Sequence, residues 1–195
     1  MKSKTFFGIL FLMCVSLPAL ADHWESLACQ WNGGNYQPYD MARRQWIGNL
    51  GYGFVRIDRC NEAIFAAHEG LVCNWNGNNY QPYEIWRNIP MGKVGYGFAA
   101  LENCNKTVQY SSQGLLCQWN GANYQPYFTP QNRPVGLDGY GFSALDRCVQ
   151  SVQSSSFGLV CNWSGSYYAV YDSYSNRTIS EGFRTLEDCS HSIHP

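Results

Sequence analysis

The stretch Leu71-Val-Cys-Asn-Trp-Asn-Gly-Asn-Asn-Tyr-Gln-Pro-Tyr83 decides the architecture. Leu71 to Trp75 alternates its side chains and is β-prone, Asn76-Gly77 is a strong hairpin turn signal, and Tyr80 to Tyr83 suits a returning strand. Pro82 has no N–H to give a ladder, so this strand is expected at an edge or ending there.

The same text occurs at Cys29-Gln-Trp-Asn-Gly-Gly-Asn-Tyr-Gln-Pro-Tyr39 and at Cys117-Gln-Trp-Asn-Gly-Ala-Asn-Tyr-Gln-Pro-Tyr127. A looser fourth copy reads Cys161-Asn-Trp-Ser-Gly-Ser-Tyr-Tyr-Ala-Val-Tyr171. Cys29, Cys73, Cys117 and Cys161 are spaced by 44 residues. A second set, Cys60, Cys104 and Cys148, follows its partners by 31, and Cys189 follows by 28. Chance does not produce such self-similarity, which is the signature of a repeat architecture.

Each copy continues through a variable linker to Gly51-Tyr-Gly-Phe54, Gly95-Tyr-Gly-Phe98 or Gly139-Tyr-Gly-Phe142, degraded in the last to Ser180-Glu-Gly-Phe183. The hydrophobic period then becomes helical: Ile57, Cys60 and Ile64 share one face, as do Leu101, Cys104, Val108 and Leu145, Cys148, Val152. Asp58, Glu102, Asp146 and Glu187 fall in the first helical turn, where negative charge suits the dipole. Ser143 with Asp146 reads as a capping box, and Gly70, Gly114 and Gly158 as left-handed helix ends.

The expected fold is therefore α+β: four tandem repeats of about 44 residues, at about 27–70, 71–114, 115–158 and 159–195. Each is a β-hairpin, a short extended segment and one helix. One unit alone buries too little to fold, so stacking and disulfides must supply the rest.

Residues 1–21 read as a signal peptide, with basic Lys2 and Lys4, an apolar stretch from Phe6 to Leu17, and an Ala19-Leu20-Ala21 cleavage site. Met13 before Cys14 does not fit a lipobox. The domain, 22–195, then holds eight cysteines and 11 basic against 14 acidic residues. That balance draws the chain to neither nucleic acid nor anionic membrane. No later segment is apolar for long enough to be a transmembrane helix, and the expected location is secreted or periplasmic.

Two disulfide schemes respect the repeat. Partners lie within a unit (Cys29–Cys60, Cys73–Cys104, Cys117–Cys148, Cys161–Cys189), or each helix joins the following strand (Cys60–Cys73, Cys104–Cys117, Cys148–Cys161). The second leaves Cys29 and Cys189 to close a ring. It is the expected scheme, because a helix turning back through Gly places Cys60 beside Cys73. Zinc is not expected without C-x2-C spacing.

No catalytic constellation is evident. His23, His68, His191 and His194 do not recur between units, and no nucleophile elbow, zincin motif or phosphate loop occurs. The chain reads as a non-enzyme without cofactor. What recurs is an amide and aromatic cluster, the vocabulary that holds neutral sugars. The fourth copy keeps Trp163, Tyr168 and Tyr171 but loses the amides, so the indoles suit packing. Asn32, Asn35, Gln37, Asn76, Asn79, Gln81, Asn120, Asn123 and Gln125 are the candidate ligand contacts, with Tyr39, Tyr83 and Tyr127. The expectation is an exported, lectin-like binding protein whose partner is a glycan or polysaccharide. The alternatives are an interaction or inhibitor scaffold for another extracytoplasmic protein, using linkers Asp40–Leu50, Glu84–Val94 and Phe128–Asp138, or an envelope component. Asn105-Lys-Thr, Asn162-Trp-Ser and Asn176-Arg-Thr are glycosylation sequons.

Overall fold

The computed structural model describes residues 26–93 and 95–194; the expected leader, with Cys14, lies outside them. Four units follow one another, each a three-stranded antiparallel sheet plus one helix. The first is β1 (Leu27–Trp31), β2 (Tyr36–Asp40), β3 (Gln45–Trp46) and α1 (Ile57–Phe65). The second is β4 (Leu71–Trp75), β5 (Tyr80–Glu84), β6 (Ile89–Pro90) and α2 (Leu101–Gln109). The third is β7 (Leu115–Trp119), β8 (Tyr124–Phe128), β9 (Arg133–Pro134) and α3 (Leu145–Gln153), and the fourth β10 (Leu159–Trp163), β11 (Tyr168–Asp172), β12 (Arg177–Phe183) and α4 (Leu186–Ile193).

The Asn-Gly hairpins form as expected, with Cys73 opposite Pro82 and Trp75 opposite Tyr80. The proline strand, however, is the central strand of its sheet. Pro82 survives there because its nitrogen faces the end of the two-residue β6. Its carbonyl still accepts from Met91 N at 2.8 Å. The reciprocal bond that proline is unable to make is replaced by the neighbouring side chain: Gln81 Nε2 donates to Met91 O at 3.0 Å. Gln37 and Gln125 do the same for Ile47 O and Val135 O. In the fourth unit both residues change together, to Ala169 and Val170, and the third strand lengthens to 7 residues, paired with register shifts on either side of Ala169 and Val170.

Two local expectations are corrected. Gly70, Gly114 and Gly158 do not end helices, which stop five residues earlier. Glu69 and Gly70, both at positive φ, are the central pair of a tight turn closed by reciprocal hydrogen bonds between His68 and Leu71, the I′ geometry that matches strand twist. The Ser143 capping box does not form either, because α3 starts later with Ala144 at its N-cap. The equivalent residue of the last unit is Thr185, and its hydroxyl accepts from Asp188 N at 3.0 Å.

The cystines are Cys29–Cys60, Cys73–Cys104, Cys117–Cys148 and Cys161–Cys189, all within units, so the expected helix-to-next-strand scheme and its ring are corrected. Each of the first three helices lies between its own first strand and that of the following unit, and shows them different residues. Cys104 meets Cys73 on one side. Thr107, about 60° around the helix axis, meets the next strand, where its hydroxyl bonds Cys117 O and accepts from Cys117 N. Ser151 likewise bonds Cys161 O. The tight turn before each strand sets this offset.

The described units do not close into a ring. β4, β7 and β10 are buried, while β1, the first described strand, is half-exposed. At the far end Ile179 is 57% exposed, whereas its equivalents Ile47, Met91 and Val135 are fully buried under the following unit.

An asparagine clasp locks each seam. Asn88 Oδ1 accepts from Gly48 N at 2.6 Å and Asn88 Nδ2 donates to Trp46 O at 2.9 Å. Asn132 repeats this on Gly92 N and Pro90 O, and Asn176 holds both the N–H and the carbonyl of Gly136. All three sit at positive φ, which asparagine tolerates. The first described unit carries Arg44 at this position. The first-turn acids also bridge units: Arg59 to Glu102 (2.8 Å), Lys106 to Asp146 (2.6 Å) and Arg147 to Glu187 (2.8 Å). These exposed pairs orient neighbours but, screened by solvent, add little to stability.

Tyr127 is buried at a seam, and burial, assisted by the charge of Asp138, pushes its phenol up to about 12 from an ordinary 10.0. A raised acid pKa means that the fold favours the protonated form. The stabilisation is complete below pH 10 and is lost as pH rises through 12, amounting to about 2–3 kcal/mol. Ultraviolet titration should resolve a tyrosine that ionises only above pH 11, together with loss of near-UV circular dichroism. Ionisation of every tyrosine near pH 10 with the fold intact would contradict this.

Candidate ligand-binding grooves

The hairpin amides hold the chain to itself. Asn76 Oδ1 accepts from Asn78 N and Asn79 N at 3.0 and 2.8 Å, while Asn76 Nδ2 donates to Gln81 Oε1 at 2.9 Å. Asn32 with Gln37 and Asn120 with Gln125 repeat the arrangement. Gln37, Gln81 and Gln125 are buried with both carboxamide ends occupied, so the geometry assigns these glutamines to the fold. Tyr83 and Tyr127 are buried as well, and Tyr83 packs against Gly48 of the preceding unit. Tyr39 stacks edge-on with Trp46 at 4.9 Å. Asn35, Asn79 and Asn123 donate to Gly51 O, Gly95 O and Gly139 O, and two of them, Asn79 and Asn123, also line open grooves.

Those grooves lie at the three seams and are built from equivalent positions. In each, the phenylalanine of one Gly-Tyr-Gly-Phe segment lies against the first hairpin tyrosine of the next unit. The pairs are Phe54–Tyr80, Phe98–Tyr124 and Phe142–Tyr168, with centroids 6.0, 6.2 and 6.1 Å apart. The hairpin tryptophan closes the other side, with Trp75, Trp119 and Trp163 each 4.9 Å from its tyrosine. The clefts enclose 290, 330 and 470 Å³ in chain order.

Two glycines make each groove possible. Gly97 lies so close to the second hairpin strand that a Cβ there would stand 2.5 Å from Tyr80 O. Gly121, in the following turn, lies under the Tyr96 ring, which a Cβ would meet at 2.4 Å. Gly33, in the first described hairpin, has open space above.

The cations at the rims are paired. Arg59 binds Glu62 and Glu102, Arg56 binds Asp58, and Arg147 binds Glu187. The N–H of its own helical turn and the Arg59 guanidinium hold the Glu102 carboxyl below its ordinary range. The middle groove carries Asn103 where the others carry Arg59 and Arg147. Each surface is thus aromatic with its rim charges paired, and the second and third also carry amides, Asn79 with Asn103 and Asn123.

Neither the protein-family profiles nor the curated proteins searched contain a match to this chain. Its chemistry therefore rests on its own geometry.

Sequence reading took the tryptophans for packing and missed the grooves. The signal was present in the recurrence of Gly-Tyr-Gly-Phe in three units, each followed by another described unit, and its decay in the fourth. The sequon asparagines are engaged: Asn105 is buried, Asn162 donates to Val135 O, and Asn176 forms a clasp.

Proposed function

We propose that this is an exported, multivalent binding protein that takes a neutral carbohydrate in its three aromatic grooves. The observation that carries the reading is the rebuilding of one concave Phe–Tyr–Trp surface at every seam. Aromatic faces suit the C–H side of a sugar ring, and Asn79, Asn103 and Asn123 suit its hydroxyls. Paired rim charges favour a neutral ligand. Four cystines suit an oxidising, extracytoplasmic compartment, and no described helix is long and apolar enough to cross a membrane. A leader at residues 1–21, cleaved near Ala21, would deliver the chain there.

Val55, Ala99 and Ser143 line the three grooves from exposed positions outside the core. Replacing all three by arginine should leave the fold intact and fill the clefts. Pull-down on insoluble polysaccharides and a glycan array should then lose at least about tenfold in apparent affinity. Undiminished binding by the folded triple variant would remove the grooves from the site.

The protein-scaffold reading has its own support, since linker residues Met41, Leu50 and Leu137 are exposed and differ between units. Protein partners captured by cross-linking, lost on linker exchange but indifferent to the arginine variants, would favour it.

A further inference from the structure

We infer that the three grooves are consecutive subsites for one extended sugar polymer, and that Trp31 with Tyr36 forms a fourth, open platform at the head of the row. This rests on the carbohydrate reading above.

Adjacent grooves share a wall. The second hairpin gives Trp75 and Tyr80 to the first groove and Asn79 to the second, and the third hairpin gives Trp119 and Tyr124 to the second and Asn123 to the third. Only a two-stranded ribbon separates neighbouring clefts, a partition on the order of 10 Å across at ~4.8 Å per strand spacing. The same seam contacts relate every unit to the next, including the tyrosine-over-glycine contact at Gly77, Gly121 and Gly165. The ion pairs follow the same row. Arg59 beside the first groove binds Glu102, whose neighbour Asn103 lines the second. The clefts are open rather than closed around a chain end, so a polymer can pass from one to the next.

Trp31 stands to the first groove as Trp75 stands to the second. Its ring meets Tyr36 edge-on at 5.1 Å, and among the described residues no unit lies before it, leaving it 55% exposed. At the same end of the described array the clasp position holds Arg44. The aromatic pair remains where the described residues place no preceding Phe, and it continues the row.

The test is calorimetric titration of the full chain with cello- and N-acetylated chito-oligosaccharides graded from disaccharide to octasaccharide. Affinity should rise by about 10²-fold over the series, while the number bound per chain falls from three towards one. Ala99→Arg, which blocks the middle subsite, should erase most of that gain. Trp31→Ala should weaken the longest oligomers by about threefold to tenfold and leave disaccharide binding unchanged. Affinity that is flat with length at three per chain would overturn the inference, as would a Trp31→Ala variant equal to the parent on the longest oligomers. An absence of binding at every length in both series would defeat the carbohydrate reading itself, and is a separate result.

Discussion

Cys117→Ala/Cys148→Ala is expected to destabilise the chain by about 3.5–4 kcal/mol and to separate the array into two unequally stable halves. The bond closes a loop with a sequence separation of 31 residues, for which the chain-entropy relation gives roughly that stabilisation. A unit offers only a three-stranded sheet and a 9-residue helix, too little apolar burial to replace it. The position in the array sharpens the expectation. The third helix also supports the fourth unit through Ser151 and Arg147, so its loosening reaches both neighbours. The corresponding Cys161→Ala/Cys189→Ala change should mainly fray the terminal unit. Urea unfolding followed by native-state hydrogen exchange would show the difference. Equal, purely local loss of protection in the two variants would contradict the coupling. Non-reducing digestion should meanwhile recover Cys73 joined to Cys104, and recovery of Cys60 joined to Cys73 would refute the connectivity.

The next largest effect belongs to Gln81→Ala, expected to cost about 2–4 kcal/mol. The side chain is buried and supplies the donor that Pro82 withholds from Met91 O. Its removal strands that carbonyl, leaves Asn76 Nδ2 without its acceptor on Gln81, and opens a cavity. Met91 O has no second amide to fall back on, since Gln118 turns instead to Tyr96 O. Adding Pro82→Val restores a backbone N–H at the required place; the fourth unit, with Ala169 and Val170, has neither the proline nor the glutamine and pairs Val170 opposite Ser180. The double variant should therefore be more stable than Gln81→Ala alone by about 1 kcal/mol or more, a coupling of the size that contacting residues show. The same Pro82→Val change in the parent should give little, because Gln81 already occupies the carbonyl. A thermal-melt cycle in which Pro82→Val has the same effect in both backgrounds would disprove the substitution of side chain for backbone.

The amides show how far reading in one dimension goes. Asn76 and Gln81 are legible as recurring polar residues, and recurrence alone suits either a ligand or a scaffold. Their loss in the fourth unit looked like freedom from structural duty. In three dimensions the loss of Gln is coupled to the loss of Pro, through a carbonyl on a different strand that no local pattern reveals. The asparagine clasps were hidden for a similar reason. Asn88, Asn132 and Asn176 recur at the repeat spacing, but their purpose is to bind the preceding unit, 40 or more residues away. The tryptophans read as packing because the degenerate fourth copy keeps them, and within one unit they do meet their own tyrosine. Only the phenylalanine arriving from the preceding unit turns that contact into a groove.

Alternation, turn chemistry, helical period and the cysteine spacing are properties of single segments. They were enough to establish four units, their hairpins, the acidic helix starts and an α+β repeat with eight paired cysteines. Which cysteines join, where the amide hydrogen bonds go, and which aromatics face solvent depend on how a helix is rotated between two strands and how one unit sits on another. Those are contacts between residues distant in the chain, fixed by the packing and hydrogen bonding of whole units, and they came into view only with the assembled fold.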